Sequence, residues 1–314
     1  MTNIGKIRLA LLILVVLGLT SVSIFGDRYT KLVLMLAFSY MALGQFWNLL
    51  GGYAGLVSLG QQSFIGLGGY TLAVTVLYYG FPMWLGVLSG GVIALLFALI
   101  ISPAIFRMSG VYFSIGTWVV AESLAIWFSN WEYVEMGQGL FIKPANQLSI
   151  SQLYYLAMLV GVGSVVLVYG VMRSRLGLAL MAMRNDPGAS QISGVSVFRN
   201  KLYCYLISSF CTGITAGVLY LNMVFIQPYK AFGIDWTVAL LFIVIIGGIG
   251  TIEGPIIGAI LYVLLQQYLS DYASVSLLIL GGVAVIIMLI VPKGIMGTIQ
   301  EKLGFEILSP RRHL

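Results

Sequence analysis

Of the 314 residues, 8% are charged and 60% are hydrophobic, against roughly a quarter charged in a soluble domain. So few charges cannot solvate a globule of this size, which leaves an all-α, polytopic bundle of transmembrane helices. The formal charge of +6 sits at the ends of apolar runs, so it marks membrane topology and excludes the nucleic-acid partner that a soluble basic chain would imply.

Lys6 and Arg8 precede a first apolar run, Leu9 to about Phe25. Ser21-Val22-Ser23 loosely resembles a cleavage site, but the length of the run and the parity of the later spans favour an uncleaved first span. Asp27, Arg28 and Lys31 form a polar turn, and a second run covers about Leu32 to Leu50. The stretch from Asn48 to Tyr70 is the first that carries more than hydropathy. It holds Gly51, Gly52, Gly55, Gly60, Gly66, Gly68 and Gly69, interleaved with amides and hydroxyls from Gln45, Asn48, Ser58, Gln61, Gln62 and Ser63. Small-xxx-small pairs such as Gly51 and Gly55 let helices approach closely. Irregular backbone at membrane depth is tolerated only where it is buried in protein or lines a water-filled cavity. The stretch therefore reads as a pathway wall with a broken helix, or as a packing seam with polar cross-links, and the two readings are compatible.

A third span runs to about Tyr79, Pro82-Met83-Trp84 turns at the interface, and a fourth span reaches about Phe106, with Arg107 on the inner side. The fifth, Val111 to about Phe128, contains Glu122. A charge at a helix centre costs about 2.5–3.5 kcal/mol on insertion scales, so an acid there is either functional or a hydrogen-bonding strut between helices. The outer segment Ser129 to Gln152 is flanked by Trp127, Trp131, Tyr154 and Tyr155, as at an aromatic belt, and a sixth span follows to Met172.

The loop from Arg173 to Lys201 carries five bases (Arg173, Arg175, Arg184, Arg199, Lys201) and one acid, Asp186. Such an excess marks the cytoplasmic face. Asp186 as N-cap, Pro187 at the first helical position and Gly194 as a stop outline a helix of seven or eight residues. That length is marginal alone in water, so the helix needs something to dock against; otherwise the segment is an ordinary basic loop. The seventh span, Leu202 to about Ile226, places Gly213 and Gly217 on one face and contains both cysteines, Cys204 and Cys211. Their spacing supports neither a disulfide nor a metal site, and no metal or cofactor is expected. Gln227 to Lys230 begins an outer turn. Val238 to Tyr268 is too long for one span and suits two, turning at Glu253-Gly254-Pro255, with Gly250, Gly254 and Gly258 as a close-packing face. A last span, Val275 to Val291, ends at Pro292-Lys293-Gly294 before a charged tail. The count is about ten spans with both termini cytoplasmic. It puts Lys6, Arg8, Arg107, the five bases of the central loop, Lys293, Lys302, Arg311 and Arg312 inside, 12 of 16 bases, and leaves only Arg28, Lys31, Lys143 and Lys230 outside.

Asn48-Leu-Leu-Gly-Gly-Tyr-Ala-Gly with Ser58-Leu-Gly-Gln-Gln-Ser-Phe-Ile-Gly, Ala182-Met-Arg-Asn-Asp with Gly194-Val-Ser-Val, and Gly247-Gly-Ile-Gly-Thr-Ile-Glu-Gly-Pro together resemble the permease subunits of branched-chain amino acid ABC importers. The likeness runs almost end to end and includes Thr117, Ala121-Glu122 and Pro292-Lys293-Gly294. It implies a single permease domain over 1–314 in the cell inner membrane. It further implies a coupling helix contacting an ATPase through Arg184, Asp186, Pro187, Ala189, Ser190, Ile192 and Gly194, and a translocation pathway drawing on Gln45, Asn48, Ser58, Gln61, Gln62, Ser63 and Glu122. The partners implied are a second permease subunit, two cytoplasmic ATPases and a periplasmic solute-binding protein. Gln61-Gln62 departs from the family, where His or Gln followed by a small residue is frequent, and so does Pro187-Gly188, where a charged, alanine-rich start is common. Such permeases also move urea and short amides. The competing class is a self-sufficient channel or secondary transporter for a small polar solute such as urea or an amide. The chain has no G-x-x-x-x-G-K-[ST] phosphate loop, so any ATP hydrolysis lies in other subunits. His313 is the only histidine, and no Ser/His constellation points to an enzyme.

Overall fold

The computed structural model describes residues 18–23, 25–143, 145, 148–269 and 273–303. Most of the predicted first span, with Lys6 and Arg8, lies outside the described residues, as do Arg311, Arg312 and His313; residues 18–23 are helical. The apolar runs fold as helices because only a helix satisfies each backbone group within its own segment at membrane depth. In chain order these are α1 (Arg28–Asn48), α2 (Gln62–Leu77), α3 (Met83–Ile105), α4 (Val111–Asn130) and α5 (Ile150–Arg173). After α5 come α6 (Arg175–Asn185), α7 (Pro187–Ile192), α8 (Val197–Met223), α9 (Pro228–Ala231), α10 (Asp235–Gly247), α11 (Gly254–Tyr268), α12 (Ala273–Ile290) and α13 (Gly294–Leu303). Among the described residues, seven stretches are long and apolar enough to cross a membrane, and Gln62–Leu77 and Gly254–Tyr268 are shorter apolar helices. These nine correspond to the second to tenth spans of the sequence.

The two short helices follow the two glycine-rich stretches. Sixteen residues of α2 span about 24 Å at 1.5 Å per residue, less than the ~30 Å hydrocarbon core, so the irregular segment before the helix supplies part of the crossing. The first break is a π-helical turn, Leu49–Tyr53, followed by an irregular run to Gln61. The second is the turn 248–253 between α10 and α11, where Gly248 and Gly250 have positive φ. The helix restarts at Gly254, with Pro255 in its first turn, so Gly250 belongs to the turn while Gly254 and Gly258 lie on α11.

At the centre stands α1, whose residues from Phe38 to Asn48 are all buried; it packs on α5, α8, α10 and α11. Beside it α2, α3 and α8 meet backbone to backbone. A Cβ at Gly213 would lie 2.7 Å from the Gly90 carbonyl oxygen, and one at Gly68 would lie 2.4 Å from that of Gly213. Gly217 lies one turn further along α8, against Val87. At one end, a two-stranded pairing, β1 (Leu140–Phe141) with β2 (Phe225–Ile226), joins the segment after α4 to the end of α8. At the other end a cavity brings Met108, just after α3, together with Arg184, Pro187 and Lys201. The basic loop and the α3–α4 turn therefore share one side of the bundle, as the distribution of bases requires.

Candidate functional site

The loop between α5 and α8 is built from its own punctuation. Ser174 caps α6, its Oγ accepting from the Leu176 N–H at 3.1 Å. Asp186 is extended (φ −152, ψ 104) and its Oδ1 accepts from the N–H groups of Gly188 (2.8 Å) and Ala189 (3.0 Å). Pro187 occupies the first turn, Ser190 Oγ donates to the Asp186 carbonyl at 2.8 Å, and Gly194 ends the helix at φ +83. The helix that results, α7, is six residues long, slightly shorter than the spacing predicts. Ser190 is its one buried residue, and Ile192 is 91% exposed. The tip of a capped helix thus carries an aliphatic side chain that its own chain leaves bare. The sequence did not reveal α6, a full helix inside the loop.

From the end of α6, Arg184 reaches back into the membrane domain. Its Nη1 donates to the carbonyl of Gly52 in the π turn, and its side chain passes Gly55, which is held at φ +70. Gly51, beside Gly52, lies against the Trp47 ring. Asn48 then joins the first break to the second: its Oδ1 accepts from Gly250 N–H at 2.8 Å and its Nδ2 donates to the Thr251 carbonyl at 2.8 Å. Gln45 Nε2 donates to the next carbonyl, Ile252, at 2.6 Å. Hydrogen bonds and the backbone between them therefore connect the base of α7 through Arg184 and the π turn to the turn 248–253.

The amides of α2 extend the network. Gln61 Nε2 donates to Ser208 Oγ at 3.1 Å and to Thr212 Oγ1 at 2.8 Å, both on α8, and Ser208 Oγ donates to the Phe46 carbonyl at 2.9 Å. Gln62 Oε1 accepts from Thr237 on α10. Ser58 is fixed through its carbonyl, which accepts from Trp47 Nε1 at 2.8 Å. On α4, Ser114 Oγ donates to the Val57 carbonyl at 2.6 Å, and Thr117 Oγ1 accepts from Leu59 N–H at 3.1 Å. Gln45, Asn48, Ser58, Gln61, Gln62 and Ser63 are all essentially inaccessible. Within this one chain they face other helices. Gln61 Oε1, Gln62 Nε2 and Ser63 Oγ are buried with no partner among the described residues. Leaving a buried group unsatisfied costs about 1–3 kcal/mol, so the first break is where a second arrangement of hydrogen bonds is least opposed.

Glu122 lies elsewhere. It is exposed on the outward face of α4, with Trp118, Val119, Ser123 and Ile126 around it, and among the described residues it takes no hydrogen bond or ion pair. A strut between two helices of this chain is therefore not its role. Below the first break, the cavity of ≈ 450 Å³ at the basic end is lined by Leu56, Val57, Phe113, Met183, Arg184 and Lys201, among others.

A capped helix in the basic loop, next to an arginine that bonds the first of two interrupted helices, is the architecture of a transporter's membrane subunit. Comparison with known proteins agrees. Residues 29–292 match the family described as branched-chain amino acid transport system / permease component, and the chain belongs to that family. It is similar to the high-affinity branched-chain amino acid transport system permease protein LivM of Escherichia coli K12, with 27% identity over 312 positions, covering 89% of this chain and 73% of that protein. The Salmonella typhimurium LivM is 25% identical over 299 positions, covering 85% and 70%. A probable branched-chain amino acid transport permease protein LivH of Methanocaldococcus jannaschii is 27% identical over 159 positions, 48% of each chain. No solved structure matches the chain. The chain is a multi-pass inner-membrane permease subunit of an ATP-binding-cassette importer.

Proposed function

We propose that this permease forms half of a pathway for branched-chain amino acids or a closely related small solute. Its partners in that role are a second permease subunit, two cytoplasmic ATPases and a periplasmic solute-binding protein. The whole of 1–314 acts as one membrane domain, and the loop 173–201 is the part that an ATPase grips. The observation that carries the reading is the connection from α7 through Arg184 to Gly52 and onward through Asn48 to Gly250 and Thr251. A push on α7 reaches both helix breaks without passing through lipid-facing helices. Exposed Ile192 and Ala189 present the surface for the ATPase, and buried Ser190 ties the helix to its cap. The glycine contacts of α8 and α11 hold the moving helices close. Substrate class rests on the relatives, whose names specify branched-chain amino acids.

The test is reconstitution of the complete complex with Ala189→Glu or Ser190→Arg. Either should abolish uptake and the stimulation of ATP hydrolysis by loaded binding protein, while membrane insertion and docking of the binding protein persist. Wild-type uptake and stimulated hydrolysis in both variants would make the loop a mere connector.

A further inference from the structure

One face of α4 is uncovered from end to end. Val111, Tyr112, Ile115, Trp118, Val119, Ile126 and Trp127 are exposed along it, and Glu122 and Ser123 sit in the same stripe. Glu122 follows the helix start by eleven residues, which at 1.5 Å each places it about 17 Å along the helix, near mid-membrane. A carboxylate facing lipid at that depth is strongly disfavoured, and intramembrane acids face water, protein or a substrate path instead. The middle of the stripe, at Glu122, therefore faces water, protein or a substrate path. Its hollow, ≈ 240 Å³, is formed by Trp118, Val119, Glu122, Ser123 and Ile126 and contains no base. The chain thus offers a carboxyl group with no base beside it, an indole, a hydroxyl and two branched aliphatic side chains at one place.

From this, and resting on the importer reading above, we infer that Glu122 and its neighbours form a station on the pathway wall that receives the ammonium group of a solute carrying an aliphatic side chain. The carboxylate pairs with the ammonium in a charge-assisted hydrogen bond. The Trp118 ring face adds attraction for the same cation, and Val119 and Ile126 take the aliphatic part. A solute without a cationic amine, such as urea or an amide, has no use for the carboxylate. The station thus favours amino acids over the neutral solutes that the fold could also pass.

The experiment uses the reconstituted complex with its binding protein and leucine as the probe. Glu122→Gln should lower uptake about tenfold, the loss of about 1.4 kcal/mol of discrimination. Hydrolysis stimulated by the binding protein should fall less, so that fewer solute molecules cross per ATP; Glu122→Asp should recover part of the uptake. A direct readout comes from Glu122→Cys in a chain whose partly exposed Cys211 is replaced by Ser. A water-soluble thiol reagent should modify Cys at 122, and leucine delivered during turnover should slow that modification. Uptake at wild-type level in Glu122→Gln, or no modification at 122, would overturn the proposal. So would equal loss of assembled complex, uptake and hydrolysis, which would assign Glu122 to an ion pair with the sister permease. If the unaltered complex imports no leucine on ATP addition, it is the importer reading that fails.

Discussion

The two helix breaks occupy equivalent places, each before a short helix that does not cross the membrane alone, yet the balance of side-chain bonds and close packing around them differs. The first, residues 49–61, is fixed mostly by side chains, with one close backbone approach at Gly60, where a Cβ would lie 2.1 Å from the Thr117 carbonyl oxygen. Arg184 donates to Gly52, Trp47 to Ser58, Gln61 to Ser208 and Thr212, and Thr237 to Gln62. The second, residues 248–253, receives the side chains of Asn48 and Gln45 and adds two of its own: Thr251, whose Oγ1 donates to the Gly248 carbonyl at 2.7 Å, and Glu253, whose Oε2 accepts from Gln300 Nε2 at 3.3 Å. The start of α11 that follows it is close-packed: a Cβ at Gly258 would sit 1.9 Å from the Ile243 carbonyl oxygen, and one at Gly254 2.4 Å from that of Gly248. A hydrogen-bonded break can exchange partners with little change in volume. A close-packed one moves as a unit. The side-chain bonds at the first break and the close-packed glycines on α11 behind the second are joined by Asn48, which bonds Gly250 and Thr251.

Four substitutions would break or sharpen that contrast. Gly258→Leu should have the largest effect, because α10 and α11 must part to admit the side chain; overpacking of this kind costs on the order of 1–3 kcal/mol or more, and recovery of assembled complex from detergent should fall sharply. Asn48→Ala should come next. It strips the Gly250 N–H and Thr251 carbonyl of partners at about 1–3 kcal/mol for an unsatisfied buried group, so thermal stability drops and uptake falls with it. Thr237→Val removes the hydroxyl shared by Gln62 Oε1 and the Leu59 carbonyl at the first break; it strips a single donor where Asn48→Ala strips two groups, so it should lower stability by about 1 kcal/mol, the low end of the same range, seen as a smaller shift of the melting temperature. Ile192→Ala should change stability least, within about 0.5 kcal/mol for an exposed site, while lowering ATPase stimulation. If Thr237→Val proved as disruptive as Gly258→Leu, the distinction between the breaks would collapse.

Much of this was legible in the sequence because membrane insertion enforces simple rules. Apolar run length gave nine described spans, and base placement gave the shared end of the α3–α4 turn and the central loop. The Asp186, Pro187 and Gly194 signals gave α7 to within a residue or two, because capping is local chemistry. Long-range pairings were not legible. Asn48 with Gly250 and Thr251, and Arg184 with Gly52, connect positions far apart in the chain, and no periodicity encodes such contacts. The glycine pattern misled in one respect. Gly250, Gly254 and Gly258 are evenly spaced, but Gly250 lies in a turn at φ +76, so spacing alone did not distinguish a helix face from a helix break. Gly51 and Gly55 are separated in the same way, one in the π turn and the other at φ +70 beyond it. Glu122 was conspicuous by its charge, but its outward direction follows from how α4 packs, which hydropathy does not fix.

The central claim is that α7 moves the two breaks together through Arg184. Hydrogen exchange of the amides at 54–60 and 248–252, measured in the reconstituted complex with and without an ATP-locked state, tests it most directly. Protection in both segments should change together in the unaltered complex. In Arg184→Gln the change at 54–60 should be lost, with that at 248–252 reduced alongside it. Full, independent changes in both segments of the Arg184→Gln complex would contradict the account.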